Sequence, residues 1–190
     1  MLSTLGYPLL SIDQVTGFIG QGVRELVRDC IHSDDLEKIE MGISIYRQFY
    51  AEHLLDHSRL FPGAQKVLHH FRERSQAVIT NKPNPYSREI LEGLGIAHYF
   101  LRIIGGDIEF PKKPDPASIL SLIEKTKVTP QEALFIGDSP VDVQAGRNAG
   151  VFTIVVAHGF SGPEEIEQAH PDKVVSHFGE LFDWVQSQGW

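Results

Sequence analysis

Three short segments of this chain carry residue types that could act together on a phosphoryl group. The first is Gly137-Asp138-Ser139-Pro140-Val141-Asp142, with two carboxylates close together. It follows the apolar run 133–136, which reads as a buried strand bounded by Gly137. It leads into 141–149, which reads as a helix stopped by Gly150. In open α/β sheets ligands bind outside the C-terminal ends of strands. A hard cation such as Mg²⁺ is held there by one or two carboxylates together with substrate phosphate oxygens. Taken alone, the pair reads as a helix cap, Asp138, and a solvated first-turn acid, Asp142. The second segment, Thr80-Asn81-Lys82-Pro83, ends the short apolar run 77–79 and offers a hydroxyl and backbone N–H groups. The third, Pro111-Lys112-Lys113-Pro114-Asp115-Pro116, is a stiff loop with an ammonium group. Fixed donors, an ammonium and a cation-binding carboxylate are what a phosphoryl-transfer site requires. Each segment also has an ordinary reading as a turn hydroxyl, a solvated lysine or a helix cap. Their common place at strand ends is what points to chemistry.

The elements that must carry these segments fall into two stretches. Residues 1–57 show helical spacing only. Ser11 with Gln14 fits a capping box. Phe18, Ile19, Val23, Leu26 and Val27 form a helical stripe broken at Gly20-Gln21-Gly22. Ser33 is expected to cap a long helix whose apolar positions are Leu36, Ile39, Ile43, Tyr46, Phe49 or Tyr50, and Leu54. From residue 58 on, the pattern changes. Phe61-Pro62-Gly63 opens a helix with Val67, Leu68 and Phe71 facing inward, and the buried strand 77–79 follows. Next come a helix over 86–94 closed by Gly95, and a strand at Ile103-Ile104 ending in Gly105-Gly106-Asp107. Pro116 starts a helix through Ile119, Leu122 and Ile123. Beyond the site segment lie a strand at 152–157, a short one at Val174-Val175 and a terminal helix at 181–186. Strands alternating with helices predict an α/β fold with a parallel sheet and right-handed crossovers.

Composition narrows the function classes. A formal net charge of -8 argues against nucleic acid, whose phosphates demand basic patches. No apolar run reaches the ~20 residues that a membrane-spanning helix needs, and no signal-peptide layout opens the chain. A single cysteine, Cys30, excludes an internal disulfide and fits a half-buried helix residue in a reducing compartment, so a cytoplasmic setting is expected. His53 and His57 are spaced as on one helical face, but no third ligand accompanies them, and solvated histidines are expected. Trp184 and Trp190 read as packing residues.

The three segments together resemble the haloacid dehalogenase-like hydrolase superfamily, in its phosphoglycolate phosphatase-like branch. Ile79-Thr80-Asn81-Lys82-Pro83 resembles the second motif of that family, Lys112-Lys113-Pro114-Asp115-Pro116 the third, and the Gly137–Asp142 segment the fourth. The stretch from Phe18 to Leu26 resembles the start of the small helical cap. The resemblance implies a three-layer Rossmann-like core over 58–190 and an all-helical cap over 1–57. It implies a Mg²⁺-dependent phosphatase of a small phosphorylated metabolite, with phosphoglycolate the first candidate, acting through an aspartyl-phosphate. Asp138 would ligate the metal. Asp142 would hold a metal-bound water or orient Lys113. Thr80 and the Asn81 backbone would bind phosphoryl oxygens, and Lys113 would neutralise charge. Gly20, Gly22 and Arg24 are candidates for cap residues near the substrate. A homo-oligomer is compatible with the pattern.

One departure from the family pattern stands out. The first motif, an Asp-x-Asp that supplies the nucleophile and the general acid, occurs nowhere in the sequence. Asp13 followed by Val15 is not it, because Ser11 and Gln14 already explain that segment as a helix start. In the family the same motif ends the central strand, between the strand leading to Thr80 and the one leading to Gly137. The expectation is an N-terminally shortened, inactive form of a longer enzyme. The alternatives are a place filled by another chain, a catalytically silent protein that still binds phosphate and metal, or a sugar-phosphate mutase of the same fold.

Overall fold

The computed structural model describes residues 1–20, 22–106 and 109–190. Gln21 in the expected helix break and Asp107 at the expected strand end lie outside the described residues. The chain forms two compact units, Met1–Ser58 and Arg59–Trp190.

Among the described residues the first unit holds three helices, α1 (Ile12–Thr16), α2 (Val23–Ile31) and α3 (Leu36–Glu52). The Ser11 box forms: its hydroxyl accepts the Gln14 N–H at 3.3 Å, and Gln14 Oε1 accepts the Ser11 N–H at 2.9 Å. The stripe starting at Phe18 is not one helix. Gly22 precedes α2 with φ 108, a conformation open to glycine and costly for other residues, and the helix begins only after it. Ser33 does not cap α3. Asp35 does, with one carboxylate oxygen accepting the Glu37 and Lys38 N–H groups at 3.0 and 3.3 Å, while Ser33 Oγ accepts the Asp35 N–H. Val27, Ile31, Ile39 and Ile43 form the core between α2 and α3. A Cβ on Gly42 would lie 2.6 Å from Val27 Cγ1, so this glycine allows the two helices to approach. Because α3 ends at Glu52, His53 and His57 do not share a helical face; His53 Nδ1 pairs with Asp56 Oδ2 at 2.7 Å on the surface.

The second unit runs α4 (Ala64–His70), β1 (Gln76–Ile79), α5 (Asn84–Gly93), β2 (Phe100–Ile104), α6 (Ala117–Thr126), β3 (Leu134–Gly137), α7 (Pro140–Ala149), β4 (Phe152–Val156), α8 (Pro163–Ala169), β5 (Lys173–Val175) and α9 (Phe178–Ser187). All strand pairs are parallel. Sequence pattern missed α8, although Gly162-Pro163-Glu164-Glu165 carries a helix-start signal of proline and first-turn acids.

Successive residues of β4 face opposite layers. Ile154 and Val156 join Val67, Val175, Leu181 and Val185 under α4 and α9. Val155 joins Val143 and Ile166 under α7 and α8. Helices therefore cover both faces of the strands, as the α/β reading expected.

The strands do not form one sheet among the described residues. β1 pairs with β2 in one, and β3, β4 and β5 in that order form another. This corrects the expectation of buried strands at 77–79 and 133–136. β4, paired on both sides, has four of its five residues buried, whereas every residue of β3 is only half-buried and Ala77 of β1 is exposed. A strand paired on one edge loses the cover that a second neighbour gives.

Candidate functional site

One ammonium joins the end of β1 to the start of α7. Lys113 Nζ donates to the Ile79 carbonyl at 3.1 Å, at the last residue of β1, and to Asp142 Oδ1 at 2.7 Å. The lysine and aspartate side chains are 13 % and 7 % exposed. Lys113 is thus no solvated surface charge, and Asp142 no solvated first-turn acid.

Asp138 does not cap α7 either. Ser139 is the N-cap, in a capping box with Asp142. Asp142 Oδ2 accepts the Ser139 hydroxyl at 2.6 Å and the Asp138 and Ser139 N–H groups at 3.2 Å each. One carboxylate thus closes the helix start and holds the lysine. Gly137 permits this fold-back, since a Cβ there would lie 2.3 Å from Asp142 Cβ.

The electrostatics of the two carboxyls diverge. Burial pushes the Asp142 carboxyl up, but the Lys113 ammonium and the hydrogen bonds from Lys113, Ser139 and Asp138 outweigh it, and the group sits below its ordinary value. Asp138 is pushed up, first by burial and then by the charge of Asp142, with Lys113 offsetting only part. The Lys113 charge is already matched by Asp142, so the corner keeps an excess of negative charge at Asp138. Among the described residues there is no cluster of three or more potential metal ligands. A hard divalent cation needs fewer when water and substrate oxygens complete its shell, so this carboxylate environment fits such an ion.

The other expected residues fall as follows. Thr80 leaves β1 with its N–H bonded to the Ile104 carbonyl, and its hydroxyl accepts the Lys82 N–H at 3.1 Å, keeping the hydroxyl proton for another acceptor. Asn81 faces Lys113 with its side chain: its Nδ2 donates to the Lys113 carbonyl at 3.1 Å, and its Oδ1 accepts the Lys113 N–H at 2.8 Å. Thr80, Asn81, Lys113, Asp138 and Asp142 all belong to the second unit. Gly20, with φ 128, and Gly22 flank the start of α2 in the first unit, where Arg24 forms an exposed ion pair with Glu40.

Four further residues lie against these loops, and sequence reading gave none of them a place at the site. Gly105 and Gly106 leave β2 against the Thr80 loop; a Cβ on the first would lie 2.3 Å from Asn84 N, and on the second 2.7 Å from Asn81 Cα. A Gly-Gly pair at a strand end is the available signal for such close approach. His158 follows β4, its ring stacked on Phe61 at 3.7 Å between centroids and near Phe178 at 5.1 Å. Both its ring nitrogens are buried with no hydrogen-bond partner, and burial pulls its pKa down. Gly159 then lies against Asp138, where a Cβ would be 2.4 Å from Oδ2.

Comparison with known proteins places the chain in a family. The profile of the family described as "Haloacid dehalogenase-like hydrolase" matches residues 1–156. The chain is 34 % identical over 193 residues to the phosphoglycolate phosphatase of Vibrio parahaemolyticus, covering 97 % of this chain and 85 % of that protein. It is 35 % identical over 184 residues to the phosphoglycolate phosphatase of Pseudomonas putida, covering 92 % and 67 %. Among solved structures, a predicted phosphoglycolate phosphatase from Haemophilus somnus superposes with TM-score 0.90 at 27 % identity, covering 97 % of this chain and 86 % of that one. A predicted phosphatase from Clostridium acetobutylicum shares the fold with TM-score 0.82 at 22 % identity, covering 98 % and 87 %.

Proposed function

Because the chain belongs to the haloacid dehalogenase-like hydrolase family, a family of phosphoric monoester hydrolases by its phosphatase relatives, we propose that its second unit is the phosphate- and Mg²⁺-binding half of a small-metabolite phosphatase site. Phosphoglycolate is the first substrate to test, since the relatives in Vibrio parahaemolyticus and Pseudomonas putida carry that activity in their names.

The observation that carries this proposal is the Lys113 ammonium held between the Ile79 carbonyl and the Asp142 carboxylate, beside the Asp138 corner and the Thr80 loop. In the proposed site Thr80 donates its hydroxyl proton to a phosphoryl oxygen, and the Asn81 backbone N–H faces the same group. Lys113 offsets the charge of the transferring phosphoryl group. Asp138 ligates Mg²⁺, and Asp142 holds Lys113 in place. When bound, Mg²⁺ supplies positive charge that neutralises phosphoryl oxygens. The helical unit is read as the cap that excludes water during reaction, with Gly20, Gly22 and Arg24 as its candidate contacts.

Family chemistry also needs an attacking aspartate and a general acid. The sequence holds no Asp-x-Asp. We therefore assign these 190 residues phosphate and metal binding and not the attacking carboxylate. The absence of the motif also favours a second reading, a silent phosphate- and metal-binding protein.

Two measurements test the proposal. Calorimetry should show Mg²⁺-dependent binding of inorganic phosphate, lost in Asp138→Ala. The same chain should show no Mg²⁺-dependent hydrolysis of p-nitrophenyl phosphate. Turnover abolished by Asp138→Ala would overturn the assignment of the nucleophile, and absence of phosphate binding would sink the site itself.

A further inference from the structure

Lys113 is the long, flexible member of the site, and a lysine side chain carries enough rotamer freedom that its charge must be held to be useful. Its ammonium is held by Ile79 and Asp142. Its backbone is held separately. The Asn81 carboxamide spans both main-chain groups of Lys113, Nδ2 to the carbonyl at 3.1 Å and Oδ1 from the N–H at 2.8 Å, across 32 positions of sequence. A carboxamide presents a donor and an acceptor side by side, so it can imitate one step of strand pairing where no strand is present.

The supports on either side make this clasp a fixed point. On the β2 side, the Gly106 N–H donates to the Lys82 carbonyl at 3.1 Å, and a Cβ on Gly106 would lie 2.7 Å from the Asn81 Cα and carbonyl oxygen. Asn81 is thus pressed onto the exit of β2. On the far side, Asn148 of α7 donates to the Pro114 carbonyl at 3.0 Å, next to Lys113. The loop bearing Lys113 is therefore suspended between β1 and α7, and Asn81 supplies the β1 attachment.

We propose that the Asn81 side chain is a positioning residue, which sets where the Lys113 ammonium stands by clasping the lysine backbone to the end of β1. This deepens the phosphate-site proposal above and rests on it for the consequence for binding, while the clasp itself stands on geometry alone. The consequence is that phosphate affinity depends on a side chain whose carboxamide is committed to Lys113. Thr80 and the ammonium keep a fixed separation only while residues 79–81 and 113 are joined.

The test uses the 190-residue chain with ¹⁵N-labelled lysine, and compares Asn81→Ala and Asn81→Ser with the parent. Serine keeps one hydrogen-bonding group without adding charge. The Lys113 Nζ resonance reports the pair with Asp142, and calorimetry with inorganic phosphate and Mg²⁺ reports the site. In Asn81→Ala the resonance should move towards that of free lysine, and phosphate affinity should fall about tenfold from the loss of two hydrogen bonds. Mg²⁺ affinity without phosphate should stay unchanged, and Asn81→Ser should fall between. An unmoved Lys113 resonance in a folded Asn81→Ala overturns the clasp. A moved resonance with unchanged phosphate affinity overturns its role in binding. If the parent chain binds no phosphate, the function proposal fails, and the resonance still decides the clasp.

Discussion

Lys113 and Asp142 form a 2.7 Å ion pair that is almost wholly buried, and the aspartate is at the same time the residue that closes the start of α7. Site geometry and helix start are thus one structure, and a change in either partner reaches both.

Breaking this pair should destabilise the second unit. Lys113→Met leaves Asp142 with its three donors at Ser139 and Asp138 but without a counter-charge. Asp142→Ala strands the ammonium and uncaps α7 as well. Losses of about 3–5 kcal/mol are expected for removal of either partner of a buried pair, with Asp142→Ala the larger. Urea unfolding of both single variants and the double variant checks this. The double variant should be less destabilised than the two losses summed, because neither charge is then left alone.

Stability should depend on pH with opposite signs at the two carboxyls. The folded pKa of Asp142 is depressed, so its contribution is full above the ordinary aspartate value of 3.8 and is lost as pH falls through the folded value. The folded pKa of Asp138 is raised, so its ionisation costs stability above that folded value, and the cost vanishes below 3.8. Asp138→Asn should therefore raise the melting temperature in EDTA at pH 7. That gain should shrink as the buffer is taken down towards pH 4. Added Mg²⁺ should raise the melting temperature of the parent and leave Asp138→Asn unmoved.

His158 should be replaceable with profit. Its two ring nitrogens are buried and unpartnered while its ring stacks on Phe61. His158→Phe keeps the stack and removes the polar atoms, for a gain of about 1 kcal/mol. His158→Ala, which gives up the stack, should instead lower the melting temperature. Thermal scans at pH 7 separate the two outcomes.

Gly159→Ala should act on both the ion and the fold. The new methyl would fall 2.4 Å from Asp138 Oδ2 and 2.8 Å from Asp138 Cβ, so the start of the side chain must shift along with its carboxylate. The carboxylate would leave its position, so Mg²⁺ affinity measured by calorimetry should drop about tenfold or more, with a stability loss of about 1–3 kcal/mol.

The parts of this structure that were legible in the sequence are those that local chemistry dictates. The Ser11 box, the glycine stop at Gly150, and the strand at β4 all follow from neighbouring residues. Thr80, Lys113 and Asp142 were legible as residue types at strand ends, and the family resemblance supplied roles for them. What escaped needed distance information. That Asp142 folds back on Gly137 to become a buried cap depends on a helix start turning under its own strand. That Asn81 faces the Lys113 backbone depends on two loops separated by a whole strand and helix. Asp35 displaced Ser33 as a cap because its carboxylate reaches two N–H groups at once. The half-burial of β1 and β3 depends on which strands pair, and no periodicity reports that.

The split into two sheets has a consequence for handling the protein. One parallel sheet has two edges; two sheets have four, and β1 and β3 each add an apolar strand with one row of main-chain groups not paired to another strand among the described residues. Such rows template further strands, including those of neighbouring molecules. At high concentration the chain should therefore lose solubility through backbone pairing, in a way that extra salt does not relieve and that a proline placed in β3 at Phe135 would suppress only by weakening the fold itself. Its colloidal behaviour, as much as its chemistry, is written in those two strands.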